Sequence, residues 1–244
     1  MSKSVIIIPP RLAATRLPKK PLIKINNKSI IMHVYEKALK SNIGEVYVAT
    51  CDKEIAIEVK KYGGKFIMTN TKHSTGTDRV YEASQKLKLD ETDFIINLQG
   101  DEPMINPKDI KNLNKLSKDR NLEFSTLAYG INDEQNFNNE DIVKVITKNK
   151  LSSKFNEKAL NFCRIVNSKN IKNVYHHLGV YLYKISALKR FVNFKNSYNE
   201  IREKLEQLRA IDNGMEIDVI LANHFSSGID TKKDLDEYIK LLNK

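Results

Sequence analysis

Positions 4–8 form an unbroken run, Ser4-Val5-Ile6-Ile7-Ile8, with no polar residue after the first. A β-branched run without alternation predicts a strand buried on both faces of a parallel sheet. Downstream, Ile30, Ile31, Val34, Ala38 and Leu39 recur at helical spacing. The pattern then predicts a strand over 45–50, a helix over 54–62 and a strand over 65–68. A helix over 77–87 sets Val80, Ala83, Ser84 and Leu87 on one face, and 93–98 is the most apolar strand of the chain. Strands alternating with amphipathic helices predict an α/β fold with a doubly wound, mostly parallel sheet.

The second half is less regular. Residues 123–129 and 142–147 read as strands flanking a polar loop at 132–140, whereas 148–173 is polar and has no clear period. Residues 175–183 alternate like a strand, and 186–193 fit a short helix. A single amphipathic helix is expected over 200–213 through Ile201, Leu205, Leu208 and Ile211. A late strand over 216–221 and a closing helix over 231–242 complete the pattern. No repeat, low-complexity tract or linker divides the chain, so a single domain is expected.

Composition changes this picture little. The chain has 244 residues, 41% hydrophobic and 29% charged, as a globular protein does. No run approaches the roughly 18 apolar residues of a membrane span, so no membrane insertion is expected. The first residues read as a buried strand rather than a signal peptide. Two distant cysteines, Cys51 and Cys163, have no metal-ligand spacing and imply a reducing compartment. Cys51 ends a strand-like run and is expected to be a small buried side chain. A net charge of +11 favours an anionic partner, but lysines are spread through every surface helix. That spread reads as compositional bias, and nucleic-acid binding is not expected.

Ligands of an open parallel sheet bind beyond the carboxyl ends of its strands, which selects four loops before any motif is named. The loop at 9–20 carries Arg11, Arg16, Lys19 and Lys20 among Pro9, Pro10 and Pro18. It is no glycine-rich cradle; a stiff loop with cations suits a triphosphate, though a solvated basic loop would look the same. The loop His73-Ser74-Thr75-Gly76-Thr77-Asp78-Arg79 opens a helix, so its hydroxyls could meet a ligand or simply cap. Gln99-Gly100-Asp101-Glu102-Pro103 follows the most buried strand and offers carboxylates to magnesium, or a plain turn. In Gly228-Ile229-Asp230-Thr231, Asp230 could be a metal ligand or a helix cap. The histidines form no nucleophile–base pattern; His33 reads as a helix residue, and His224 has no motif around it.

In this order the loops resemble the 3-deoxy-manno-octulosonate cytidylyltransferases, the CMP-Kdo synthetases, over nearly the whole chain. Residues 8–22 look like the family's IPAR-x-x-S/T-R-L-P-x-K-P-L signature, and 73–79 resemble SGT-D/E-R. Residues 97–103 resemble N-V/L-QGDEP, and His177-Leu178-Gly179-Val180-Tyr181 resembles RHLG-I/V-Y. Glu206-Gln207-Leu208-Arg209 looks like LEQLR, and 228–231 look like G-V/I-DT.

The resemblance implies transfer of CMP from CTP to an acidic 3-deoxy sugar, for lipopolysaccharide synthesis in a Gram-negative cytoplasm, by a magnesium-dependent homodimer. It implies that Arg11, Arg16 and Lys20 hold the CTP phosphates, and that Ser74, Thr75, Gly76, Thr77 and Gln99 surround cytosine and ribose. Asp101 and Asp230 would bind Mg2+ and, with Lys20, carry the catalysis. Arg164, His177, Tyr181, Glu206 and Gln207 would hold the sugar, with Arg164 meeting its carboxylate. Residues 1–130 and 214–244 would form the nucleotide-binding core, and 131–213 a smaller sugar-binding and dimerisation part.

The chain departs from the family pattern at His176, at Asn161-Phe162-Cys163-Arg164-Ile165-Val166-Asn167 with the polar stretch 168–174, and at Lys184. All three departures fall on the half that the resemblance assigns to the sugar or to dimer formation, not on the nucleotide half. An amino-substituted Kdo or another acidic nonulosonate is the alternative substrate. A basic nucleotide-binding or nucleic-acid-binding protein is the non-enzyme alternative; it predicts that the metal carboxylates are missing, and both are present.

Overall fold

The computed structural model describes residues 3–13, 16–90, 93–131, 137–166 and 172–242. Ala14 and Thr15 of the first loop, much of the polar loop at 132–140, and Asn167 with most of 168–174 lie outside the described residues. In chain order the elements begin with β1 (Ser4–Ile8), a small hairpin of β2 (Lys24–Ile25) and β3 (Lys28–Ser29), and α1 (Ile30–Lys40). Then come β4 (Glu45–Thr50), α2 (Lys53–Lys61), β5 (Phe66–Met68), α3 (Gly76–Lys86) and β6 (Phe94–Leu98). The chain continues through α4 (Pro107–Asp119), β7 (Phe124–Gly130), β8 (Lys144–Thr147), β9 (Glu157–Cys163) and β10 (Val174–Lys184). It closes with α5 (Ile185–Asn193), α6 (Tyr198–Glu203), α7 (Leu208–Asp212), β11 (Asp218–Leu221) and α8 (Lys232–Leu242).

Nine strands form one sheet in the order β5-β4-β1-β6-β10-β7-β11-β9-β8. Parallel pairing joins β5, β4, β1 and β6, and also β7 and β11. Strand β10 is antiparallel to both β6 and β7, so β7 and β11 point the same way as β1. The carboxyl ends of β1, β6 and β11 therefore open on one edge of the sheet, where the fold class expects a ligand. Strand β10, from the segment assigned to the sugar side, sits between β6 and β7.

Alternation within each strand feeds two cores. Ile6 and Ile8 face α1 and α4 through Ile31, Val34, Ile110 and Leu113. Val5 and Ile7 face α3 and α5 through Val80, Ala83, Leu188 and Phe191. Every residue of β1 is buried, as its unbroken apolar run requires.

Four expectations need correction. The helix expected over 200–213 breaks at Lys204, which adopts a left-handed φ of 55°, and resumes as α7. The break lets Arg209 fork onto Glu200 through Nε at 2.9 Å and Nη2 at 2.5 Å, in a buried pair. In one continuous helix, residues nine apart lie about 13.5 Å along the axis on opposite faces. Ile201, placed on the apolar face of that helix, is instead exposed, as is Leu39 on α1. Cys51 is half-buried rather than buried. Helix α4 has no counterpart in the apolar pattern, although its start is signalled by Asn106, whose side chain caps the Lys108 N–H, before Pro107.

Candidate active site

The first loop is pinned before it delivers any charge. The Leu12 N–H donates to Asp52 Oδ2 at 2.9 Å, and Arg11 Nη1 reaches the Ser74 carbonyl at 3.5 Å. Lys19 takes a left-handed φ of 52°, and that reversal sends consecutive lysines apart. Lys19 pairs outward with Glu54 at 3.2 Å, while Lys20 turns inward. The convergence expected of all the loop cations thus holds for Arg11, Arg16 and Lys20 but not for Lys19.

Lys20 Nζ lies 2.7 Å from Asp101 Oδ2 and 2.8 Å from Asp230 Oδ1, bridging loops that follow β6 and β11. Arg16 adds a bond from Nη2 to Asp230 Oδ2 at 3.0 Å and a longer contact to Asp141. Burial works to lower the Lys20 pKa, but the carboxylates of Asp101 and Asp230 outweigh it and hold the ammonium above its usual value. Burial likewise works to raise Asp230, and Lys20 with Arg16 outweighs it and holds the carboxyl low. The cap question at Asp230 resolves in favour of its neighbours. Thr231 Oγ1 accepts from the Asp234 N–H, and Asp234 Oδ2 accepts from the N–H groups of Asp230 and Thr231. The Asp230 side chain is left for the cleft.

Glu102, in the loop expected to offer carboxylates to magnesium, is the most constrained carboxylate of the site and does not line the cleft. It is buried, with Oε1 accepting from the Gly179 N–H at 3.2 Å and Oε2 from Ser226 Oγ at 3.1 Å. Burial and the neighbouring Asp101 push its pKa up to about 7, against the pull of those hydrogen bonds.

Around the second loop, Thr75 is the cap of α3, accepting from the Asp78 N–H at 3.2 Å. Gln99 Nε2 donates to Asn97 Oδ1 at 3.0 Å, and Asn97 Nδ2 to Thr77 Oγ1 at 3.3 Å, so the second and third loops are tied together. Glu206 reaches the same place from the turn before α7. Its carboxylate is close enough to the Thr75 and Thr77 hydroxyls for them to work to lower its pKa, and its Oε1 is buried with no hydrogen-bond partner among the described residues. Burial raises its pKa against those hydroxyls and the charge of Arg209. Glu206 therefore meets the loop expected to hold the nucleotide, although it was grouped with the sugar. Arg79 also lines the cleft, buried and held by Thr69 at 2.8 Å; it closes the second motif but had no role there.

The other residues assigned to the sugar lie behind the cleft or beside it. Thr126 donates its only hydroxyl proton to the Val180 carbonyl at 2.8 Å, so it accepts from His177 Nε2 at 2.9 Å. This puts a proton on Nε2, and burial, which lowers the pKa to about 3, keeps the ring neutral. Tyr181 Oη donates to Gln207 Oε1 at 3.2 Å, and burial raises its pKa. Arg164, at the end of β9, donates to the backbone carbonyls of Glu203 (3.3 Å) and Glu140 (2.9 Å) and lines a neighbouring hollow. Its charge still reaches Asp230 and helps to lower that carboxyl.

The cleft itself has a volume of about 440 Å³ and is lined by Arg11, Arg16, Lys20, Ser74, Thr75, Gly76, Gln99, Asp101, Glu206 and Asp230. Among the described residues, no three His, Cys, Asp or Glu side chains cluster around a point that could hold a metal. A pair of carboxylates already bridged by a cation does fit magnesium, which takes one or two carboxylates and completes its shell with water and phosphate. No described helix is long and apolar enough to cross a membrane.

A family profile described as cytidylyltransferase matches residues 5–217. The 3-deoxy-manno-octulosonate cytidylyltransferase of Thermodesulfovibrio yellowstonii is 45% identical over 250 residues, covering 98% of each chain. The enzyme of that name from Bartonella tribocorum is 39% identical, again covering 98% of each. A solved structure of CMP:2-keto-3-deoxy-manno-octonic acid synthetase complexed with CTP superposes with a TM-score of 0.87, at 36% identity over 99% of both chains. A 4-diphosphocytidyl-2C-methyl-D-erythritol synthase shares the fold alone, with a TM-score of 0.67 at 14% identity over 99% of each chain.

Proposed function

Since the chain belongs to the 3-deoxy-manno-octulosonate cytidylyltransferases, it transfers CMP from CTP to 3-deoxy-D-manno-octulosonate, and we propose how the cleft divides that work. Arg11, Arg16 and Lys20 bind the triphosphate, with forked donors from the arginines and a compact charge from the lysine. Ser74, Thr75, Gly76, Thr77 and Gln99 enclose cytosine and ribose. The sugar's anomeric hydroxyl gives up its proton to solvent as its oxygen attacks the α-phosphorus in line, the bond to the oxygen bridging to the β-phosphorus breaks, and pyrophosphate leaves. Such chemistry needs positioning and charge neutralisation more than covalent help, so no nucleophile–base pair is required.

Asp101 and Asp230 hold Mg2+ in this reading. Held by these two carboxylates, the ion would lower the pKa of the sugar hydroxyl and neutralise charge on the phosphates. Lys20 then has to release both carboxylates and carry its ammonium to the triphosphate. Arg164 meets the sugar carboxylate, Glu206 offers its unpartnered oxygen to a ligand hydroxyl, and His177, Tyr181 and Gln207 shape the wall behind it. The observation that carries the reading is the cation bridge of Lys20 between Asp101 and Asp230, inside a cleft rimmed by the basic loop. We also propose that the product serves lipopolysaccharide synthesis in the cytoplasm. A homodimer forms in this reading through the second half, where Leu160, Ile165, Tyr198 and Ile201 are exposed.

The test is pyrophosphate release from CTP with a panel of acid sugars, with magnesium and after chelation. Turnover with 3-deoxy-D-manno-octulosonate that stops on chelation is expected. Undiminished turnover without a divalent ion would remove the metal role of Asp101 and Asp230.

A further inference from the structure

Asp101 and Asp230 come from loops 129 positions apart in sequence, after β6 and after β11. Something has to hold their carboxylates at one spacing, because each sits in a loop without regular structure. Besides a long contact from Ser227 Oγ to Met104 Sδ at 3.5 Å, two cross-links beside the aspartates join the loops among the described residues. The Ile229 N–H donates to the Asp101 carbonyl at 2.8 Å, joining the backbone of one aspartate to the immediate chain neighbour of the other. The other link runs through Glu102, whose Oε2 accepts from Ser226 Oγ at 3.1 Å, in the loop that carries Asp230. Its Oε1 accepts from the Gly179 N–H at 3.2 Å, which ties both loops to β10.

The surroundings of Glu102 are built for this contact. A Cβ on Gly179 would come within 2.8 Å of Oε1, so only glycine lets strand and carboxylate approach so closely. The register of β10 against β7 shifts between Leu178 and Tyr181, around that glycine. Ser226 is fully buried, and Glu102 does not line the cleft. A buried carboxylate that lies outside the cleft lining and spends one oxygen on β10 and the other on the loop carrying Asp230 has an organising role.

We propose that Glu102 is a positioning residue that sets the spacing of Asp101 and Asp230 for the divalent ion. The inference rests on the metal reading of those two aspartates. Outer-shell groups of this kind orient ligands and tune metal affinity.

The experiment measures Mn2+ binding by electron paramagnetic resonance with α,β-methylene-CTP, which cannot be turned over, and in parallel the binding of the CTP analogue itself. Glu102→Ala is expected to weaken Mn2+ by about 10- to 100-fold while analogue affinity stays within about two-fold. Glu102→Gln can still accept from Gly179 and can donate to Ser226, so near-wild-type Mn2+ affinity is expected. Ser226→Ala removes only the link to the Asp230 loop, and a loss of about five-fold is expected. Should Glu102→Ala fail to fold, Ser226→Ala and Glu102→Gln decide the matter. Wild-type Mn2+ affinity in Ser226→Ala, or an equal loss of Mn2+ and analogue in Glu102→Ala, would overturn the proposal. Asp101→Asn separates the two levels. Unchanged Mn2+ binding there rejects the metal reading itself, whereas loss there with no loss in the Glu102 and Ser226 variants rejects only the role of Glu102.

Discussion

The two sides of the site are built in opposite ways. On the side proposed to hold the nucleotide, Lys20, Arg16, Asp101 and Asp230 are charged, sit in loops and neutralise one another in a cleft. On the side proposed to hold the sugar, His177, Tyr181 and Gln207 are neutral and sit in and against a strand, with His177 and Gln207 buried and Tyr181 half-buried. A triphosphate demands charge that can be exchanged, and loop ion pairs of modest net strength can be broken when it arrives. A sugar in a single pose demands shape, and a buried hydrogen-bonded strand supplies that rigidity.

The largest effect should come from neutralising one member of the charged side. Asp230→Asn is expected to lower turnover by on the order of 10³-fold, since several kcal/mol of charge stabilisation is at stake. CTP binding should fall far less, because Arg11, Arg16 and Lys20 remain. A turnover loss below ten-fold in steady-state pyrophosphate release would erase the contrast between the two sides.

The same contrast explains what was legible beforehand. Strands β1, β4 and β6 are buried on both faces or nearly so, and their apolar runs announce them; the loops that follow carry charges that packing alone would not select. Asp101, Asp230 and Lys20 could be read from chain position together with the family motifs. Along β9 and the turn at Lys204 the signal is weaker. Strand β9 keeps Leu160 exposed, and the fork of Arg209 onto Glu200 is a long-range contact that no local period reports. Glu102 was legible only as one of the carboxylates of its loop, because only the fold brings Gly179 and Ser226 beside it.

The neutral side can be challenged by acid. In the unfolded chain His177 takes a proton below its ordinary pKa of 6.5, whereas in the fold it resists until about 3. The unfolded state therefore binds more protons across that window, and stability is lost as pH falls through it, by about 1.4 kcal/mol per unit. His176, lowered by burial to about 4, acts in the same sense. Glu102, raised to about 7, acts oppositely: its folded form takes up a proton first as pH falls. The difference between wild type and His177→Gln isolates His177. Between pH 6.5 and pH 5, wild type should lose about 2 kcal/mol more than the variant in denaturant unfolding. Parallel pH profiles would mean that His177 is solvated and protonated in the fold.

The smallest expected effect is also the most specific. Tyr181→Phe removes the hydroxyl that donates to Gln207 Oε1 and leaves that buried acceptor unpaired. The cost should be about 1 kcal/mol in stability. If this wall positions the sugar, the KM for sugar should rise by about five-fold while the KM for CTP stays unchanged. Gln207→Ala in the Tyr181→Phe background should then add little, because the two groups share one bond. Equal shifts in both KM values would join β10 to the nucleotide side and dissolve the division between exchangeable charge and fixed shape. A sugar-only shift would place that boundary between Glu206, which touches Thr75 and Thr77, and Gln207, its neighbour in the chain.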